Sequence, residues 1–193
     1  MKYRTILLFG APGTGKGTQG KILGAIPDFF HCACGDVFRS LNTDSPLGRV
    51  FVQYSSRGKL VPDEPTIKLW RQYIQNATHA GQFHPGHDTL VLDGIPRNLA
   101  QAGMLRDTLD VCAVFYLHCQ DINKMVERLQ RRALKENRLD DANLEVIRNR
   151  LEVYDRETKP LLKFYGPKLV HNIDSTQTPL EVLNTVLRHL QKI

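Results

Sequence analysis

Five short apolar runs punctuate the chain, at residues 5–9, 29–33, 89–92, 111–117 and 169–173. They are predominantly apolar instead of alternating strictly with polar residues, as strands covered on both faces are. Between them, residues 15–23, 64–77, 99–109, 122–134 and 144–165 are long enough for crossover helices. Strand and helix alternating in this way predict an α/β fold built on a parallel sheet with helices on both faces. Helix starts are signalled by Pro62-Asp63-Glu64 and by Asp141-Ala142-Asn143. Residues 81–87, with two glycines, Pro85, His84 and His87, read as an exposed turn before the third strand. No repeat or low-complexity tract interrupts the pattern.

At 193 residues and 41% hydrophobic content the chain supports one packed domain with small inserted flaps, not two ordinary domains. A formal net charge of +6 favours an anionic partner, which a phosphorylated metabolite satisfies as well as a nucleic acid or a membrane surface. The 26 basic residues are dispersed and the aromatics are not interleaved with them, so no nucleic-acid partner is expected. The first apolar run ends at Gly10, too short for a secretory signal, and no stretch reaches membrane-spanning length. Cys32, Cys34, Cys112 and Cys119 form no C-x-x-C pair and lie in or beside apolar runs, so buried free thiols in the cytoplasm are expected. Cys34 is the possible exception.

The strongest chemical signal follows the first run: Gly10-Ala11-Pro12-Gly13-Thr14-Gly15-Lys16-Gly17-Thr18. Glycines between a strand and a helix let successive backbone N–H groups wrap an anion, and the helix N-terminus adds a favourable dipole. Lys16 then reaches the β and γ phosphates of ATP, with Gly13, Thr14, Gly15, Gly17 and Thr18 completing the binding loop. Gly17 stands where the general pattern has Ser or Thr, so the hydroxyl available to magnesium is Thr18, one position later. Asp93, closing the third run, can hold Mg2+ through its waters. Asp36 could share that task or cap a helix.

Seven segments, the phosphate loop among them, together carry a resemblance. G-A-P-G-T-G-K-G-T at 10–18, G-D-V-F-R at 35–39, G-K-L-V-P-D-E at 58–64 and D-G-I-P-R at 93–97 occur in order. R-L-Q-R-R at 128–132, N-R-L-D-D at 137–141 and R-L-E-V-Y at 150–154 follow them. The set resembles the adenylate kinase and UMP/CMP kinase family over nearly the whole chain. The resemblance implies a P-loop NTPase-type five-stranded parallel sheet, a monophosphate-binding flap at 34–64 and a short lid at 132–141. It implies that Arg39 and Arg97 grip the acceptor phosphate and that Arg128 lies against the ATP base. It also implies that Arg132, Arg138 and Arg150 surround the transferring phosphoryl group. Arginine suits this work, because its planar fork binds two phosphate oxygens and stays charged. Arg131, Arg148 and Arg156 read instead as surface arginines. Five residues separate Arg132 from Arg138, leaving no room for cysteine metal ligands, so no structural metal is expected.

The same resemblance bears on the acceptor. Gln101 stands where AMP-selective relatives carry glutamine, and its amide can match adenine's N6 amine and N1. Lys59 and Val61 are compatible with AMP through backbone groups, and Gly94 lies beside Arg97. Cys34 departs from the threonine usual in AMP-selective relatives. The expected reaction is Mg2+-dependent transfer between ATP and AMP giving two ADP, by a cytoplasmic monomer whose partners are these nucleotides. A UMP/CMP kinase and a catalytically weak nucleotide-binding switch remain the alternatives. The acceptor-side arginines argue against a switch, which has no use for a second phosphate pocket.

Overall fold

A computed structural model describes residues 1–136, 138 and 141–193. The chain runs β1 (Tyr3–Phe9), α1 (Lys16–Leu23), β2 (Phe29–Ala33), α2 (Cys34–Arg39), α3 (Pro46–Ser55), α4 (Asp63–His79) and β3 (Thr89–Asp93). It continues through α5 (Leu99–Leu105), β4 (Leu109–His118), α6 (Ile122–Glu136), α7 (Leu144–Val153), a π-helical turn Tyr154–Thr158, α8 (Leu161–Tyr165), β5 (Val170–Asp174) and α9 (Pro179–Leu190). The strands form one five-stranded parallel sheet in the order β2-β3-β1-β4-β5. Among the described residues, no helix is long and apolar enough to cross a membrane.

The predominantly apolar strands are explained by two cores, one on each face. Along β1, Leu7 and Phe9 point into a cluster with Trp70 and Ile74 of α4 and Leu105 of α5. Ile6 and Leu8 point the other way, into a cluster with Leu23 of α1 and Val182 and Val186 of α9. Successive residues of a strand face opposite sides, so a strand buried on both favours apolar residues at consecutive positions.

This sheet order determines where a ligand can sit. From β1 the chain turns to the β2 and β3 side, and from β3 it crosses past β1 to β4. The C-terminal ends of β1 and β3 therefore flank a crevice at the point where the winding reverses, the usual ligand position in such sheets. The residues after Phe9 and the side chain of Asp93 open into it.

The expected strands agree with the observed ones to within two residues, and the helices differ more. The 99–109 helix stops at Leu105, where Thr108 N–H returns to Leu105 C=O at 2.9 Å and buried Leu109 starts β4. The single helix expected at 144–165 is broken: a π-helical turn follows Val153, and Pro160, which has no N–H to donate, precedes α8. The start signalled at 141–143 belongs to Asn143, whose side chain accepts from Glu145 N–H at 2.8 Å. Asp141 is not the cap. His84 and His87 are exposed as expected, both paired with Asp88. The four thiols are free, but only Cys32 and Cys34 are buried; Cys112 and Cys119 are half-buried.

Candidate active site

The phosphate loop leaves β1 at Gly10 and ends where Gly15 caps α1 with φ 91°. Gly13 has φ 87°, and a Cβ there would meet the Met125 carbonyl oxygen at 2.7 Å, so both conformation and space demand glycine. Thr14 is buried and turned inward, its hydroxyl donating to Ala11 C=O at 2.8 Å, so it shapes the loop through its side chain. Lys16 reaches back over the loop and donates to Gly10 C=O at 2.6 Å and Ala11 C=O at 3.0 Å. Burial lowers its pKa from 10.5 to about 8; Asp93 opposes the shift, while Arg97, Arg132 and Arg150 add to it. A Cβ at position 17 would lie 3.5 Å from Asp93 Oδ2, so α1 presents its bare backbone to that carboxylate.

Around this loop, a single cleft of about 530 Å3 brings together every residue singled out above for ATP, acceptor, magnesium or catalysis. Arg97 is held by its Nε, which donates to Gly94 C=O at 2.9 Å, and its own carbonyl accepts from the Thr158 hydroxyl at 2.7 Å. Arg128, on α6, donates to Ser175 C=O at 2.9 Å. Gln101 is buried at the cleft wall. Cys34, the first residue of α2, is also buried, and burial pushes its thiol up to about 11, so it stays protonated. Arg131 and Arg156 pair with Glu127 and Glu157 on the surface, as expected.

Two features depart from the sequence reading. Asp36 lies in the first turn of α2, but Ala33 is the cap residue and the Asp36 carboxylate receives Arg39 at 3.1 Å and Arg138 at 3.0 Å. It is an arginine partner, not a cap. Asp141, read from the sequence only as part of a helix start, is fully buried and grips two of the expected catalytic arginines. Arg132 donates to its Oδ2 through Nε at 2.7 Å and approaches it through Nη2 at 2.5 Å, while Arg150 donates to Oδ1. A buried carboxylate between two guanidinium groups fixes both forks in place. Only its position in N-R-L-D-D hinted at this. Within the expected lid, Asn137, Leu139 and Asp140 lie outside the described residues.

The adenylate kinase family model matches residues 8–170, which include the phosphate loop, Asp93 and all the cleft arginines. The chain belongs to the adenylate kinase family. It is 40% identical over 183 residues to the adenylate kinase of Cyanothece sp., covering 92% of this chain and 90% of that protein. The adenylate kinases of Flavobacterium psychrophilum and Thermobifida fusca are 34% and 36% identical over 195 residues each, covering 96% of this chain and 98% and 97% of those proteins. The matched residues therefore include most of the sheet and every arginine that lines the cleft.

Proposed function

We propose that this adenylate kinase transfers the γ-phosphoryl group of ATP to AMP, reversibly, giving two ADP. The observation that carries the reading is the presence of two phosphate-directed cation sets in one cleft: the loop with Lys16, and Arg39 with Arg97 on the acceptor side. A nucleotide switch or an ATPase needs only the first.

Phosphoryl transfer asks little covalent chemistry of the protein and depends on alignment and on stabilising charge as it spreads over the equatorial oxygens. The loop N–H groups and Lys16 hold the β and γ phosphates, giving up the bonds to Gly10 and Ala11 C=O as they do so. Arg128 lies against the ATP base. Arg39 and Arg97 hold the AMP phosphate, and Lys59, Val61, Gly94, Gln101 and Cys34 surround its nucleoside. Arg132, Arg138 and Arg150 meet the group in flight. Residues 34–64 act as the acceptor flap and 132–141 as the lid, excluding water that would otherwise take the phosphoryl group.

Asp93 fits magnesium: among the described residues no group donates a hydrogen bond to its carboxylate, which is therefore available to the waters of a hydrated cation. Thr18, on the same wall of the cleft, supplies a hydroxyl. When bound, the ion neutralises β and γ oxygen charge. Free buried Cys32 and Cys34 support work in the reducing cytoplasm, where we read the protein as a monomer acting on nucleotides alone. A coupled assay of Mg-ATP with AMP, UMP, CMP and GMP tests the assignment. Turnover should be selective for AMP, and comparable kcat/KM for UMP or CMP overturns the acceptor.

A further inference from the structure

Asp63 opens α4, at the end of the segment read as the acceptor flap, and faces the first turn of α5. Its Oδ1 accepts from Gln101 Nε2 at 2.8 Å and from Asn98 Nδ2 at 2.9 Å. On the opposite side of the Gln101 amide, Oε1 accepts the backbone N–H of Arg97 at 2.8 Å. Asn98 closes the arrangement as the cap of α5, its Oδ1 accepting Gln101 N–H at 2.8 Å.

Each partner of the Gln101 amide has one polarity. A carboxylate only accepts hydrogen bonds and a backbone N–H only donates. Rotating the amide by half a turn would set Oε1 against the Asp63 carboxylate and Nε2 against the Arg97 N–H, replacing two attractions with two repulsions. Gln101 is 1% exposed, so water cannot step in to satisfy the rotated form. The carboxylate therefore determines which end of the amide is which.

We propose that Asp63 is a positioning residue that fixes the orientation of the Gln101 amide and thereby sets the preference for an adenine over a 6-oxopurine acceptor. The proposal rests on the reading of Gln101 as the residue that meets the acceptor base. With its two internal bonds made, the amide retains one lone pair on Oε1 and one N–H on Nε2. Those suit adenine, which offers the N6 amine as donor beside N1 as acceptor. Hypoxanthine offers the reverse, O6 as acceptor beside N1–H as donor, and an amide locked in place cannot turn to meet it. A site whose buried polar groups are left mismatched rejects the wrong substrate far more strongly than an apolar pocket does.

The test measures kcat/KM for AMP and IMP with Mg-ATP in the wild type, Asp63→Asn and Gln101→Ala. Asparagine has the shape of aspartate but can donate or accept, so the amide loses one of its two locks. Asp63→Asn should raise KM for AMP and lower the AMP:IMP ratio by roughly five- to twentyfold, with KM for ATP changed less than about twofold. Gln101→Ala should remove most of the discrimination. A ratio lost in Gln101→Ala but unchanged in Asp63→Asn overturns the role of Asp63 while keeping Gln101 as the base reader. A ratio unchanged in Gln101→Ala overturns that underlying reading and the proposal with it. If Asp63→Asn lowers Tm by more than a few degrees, Asp63→Glu against Asp63→Gln repeats the comparison at matched length. The ratio should then be higher with the carboxylate, and equal ratios overturn the proposal.

Discussion

Lys16 offers a direct way to test the electrostatics of the phosphate loop, because alkali should remove its charge before it affects any arginine. Burial, reinforced by three neighbouring guanidinium groups and opposed by Asp93, brings its pKa to about 8, against an ordinary 10.5. The protonated fraction then falls from roughly nine-tenths near pH 7 to one-tenth near pH 9, so kcat/KM for ATP should drop about tenfold over that interval. Bound triphosphate places several negative charges beside the ammonium group and raises its pKa, so kcat at saturating nucleotide should stay nearly level. Proton uptake follows: near pH 9, ATP binding should draw close to one proton, read by calorimetry in buffers of different ionisation enthalpy.

Stability moves the other way. The folded pKa lies below the unfolded one, so the cost of burying charged Lys16 is fully present below about pH 8 and is relieved as pH rises toward 10.5. Cys34 and Tyr165 oppose this only at higher pH, since their folded values of about 11 and 12 lie above ordinary values of 9.0 and 10.0. Up to pH 9, therefore, lost activity is not unfolding. A flat kcat/KM for ATP between pH 7 and 9, or a kcat that falls in parallel with it, would refute the account.

The two arginine sets should separate kinetically. Arg97→Ala should raise KM for AMP by about 10- to 100-fold, the worth of a charged hydrogen bond or two, while KM for ATP changes little. Arg138→Ala should lower kcat instead, because its contact is realised at the transferring group, and effects of both substitutions confined to KM for ATP would sink the division. Cys34→Thr should restore a hydroxyl at the cleft wall and improve kcat/KM for AMP about two- to tenfold more than for UMP. Equal changes for the two acceptors would mean that position 34 does not meet the base.

What the sequence made legible follows from how local each determinant is. The strands could be read because burial on both faces favours runs of apolar residues, and β2 begins and ends where the run at 29–33 does. Local signals also marked α3 and α9, which the reading passed over: Ser45 caps before Pro46, and Thr178 with Glu181 forms a reciprocal cap around Pro179. The break after Val153 had one local sign, Pro160, placed too late to reveal a π-helical turn. Among the cleft residues, the cations were legible because phosphate chemistry demands their type and the motifs supply their order. Their resting partners were not, since each pairing depends on where separate elements meet.

Those resting partners bear directly on how the site works. Lys16 sits on the Gly10 and Ala11 carbonyls, Arg97 on the Gly94 carbonyl, and Arg138 between Asp36 and Glu136. A phosphate entering the cleft would compete with each of these acceptors: it carries more charge than a carbonyl, and Asp36 and Glu136 are partly exposed to water that can take them over. Asp141 differs. It is fully buried, water cannot replace its two guanidinium partners, and stripping it of them would strand a charge in the core. Arg132 and Arg150 therefore keep this carboxylate, which makes them the preorganised part of the cation set. Arg138, held by two carboxylates that water can replace, is the least constrained of the three.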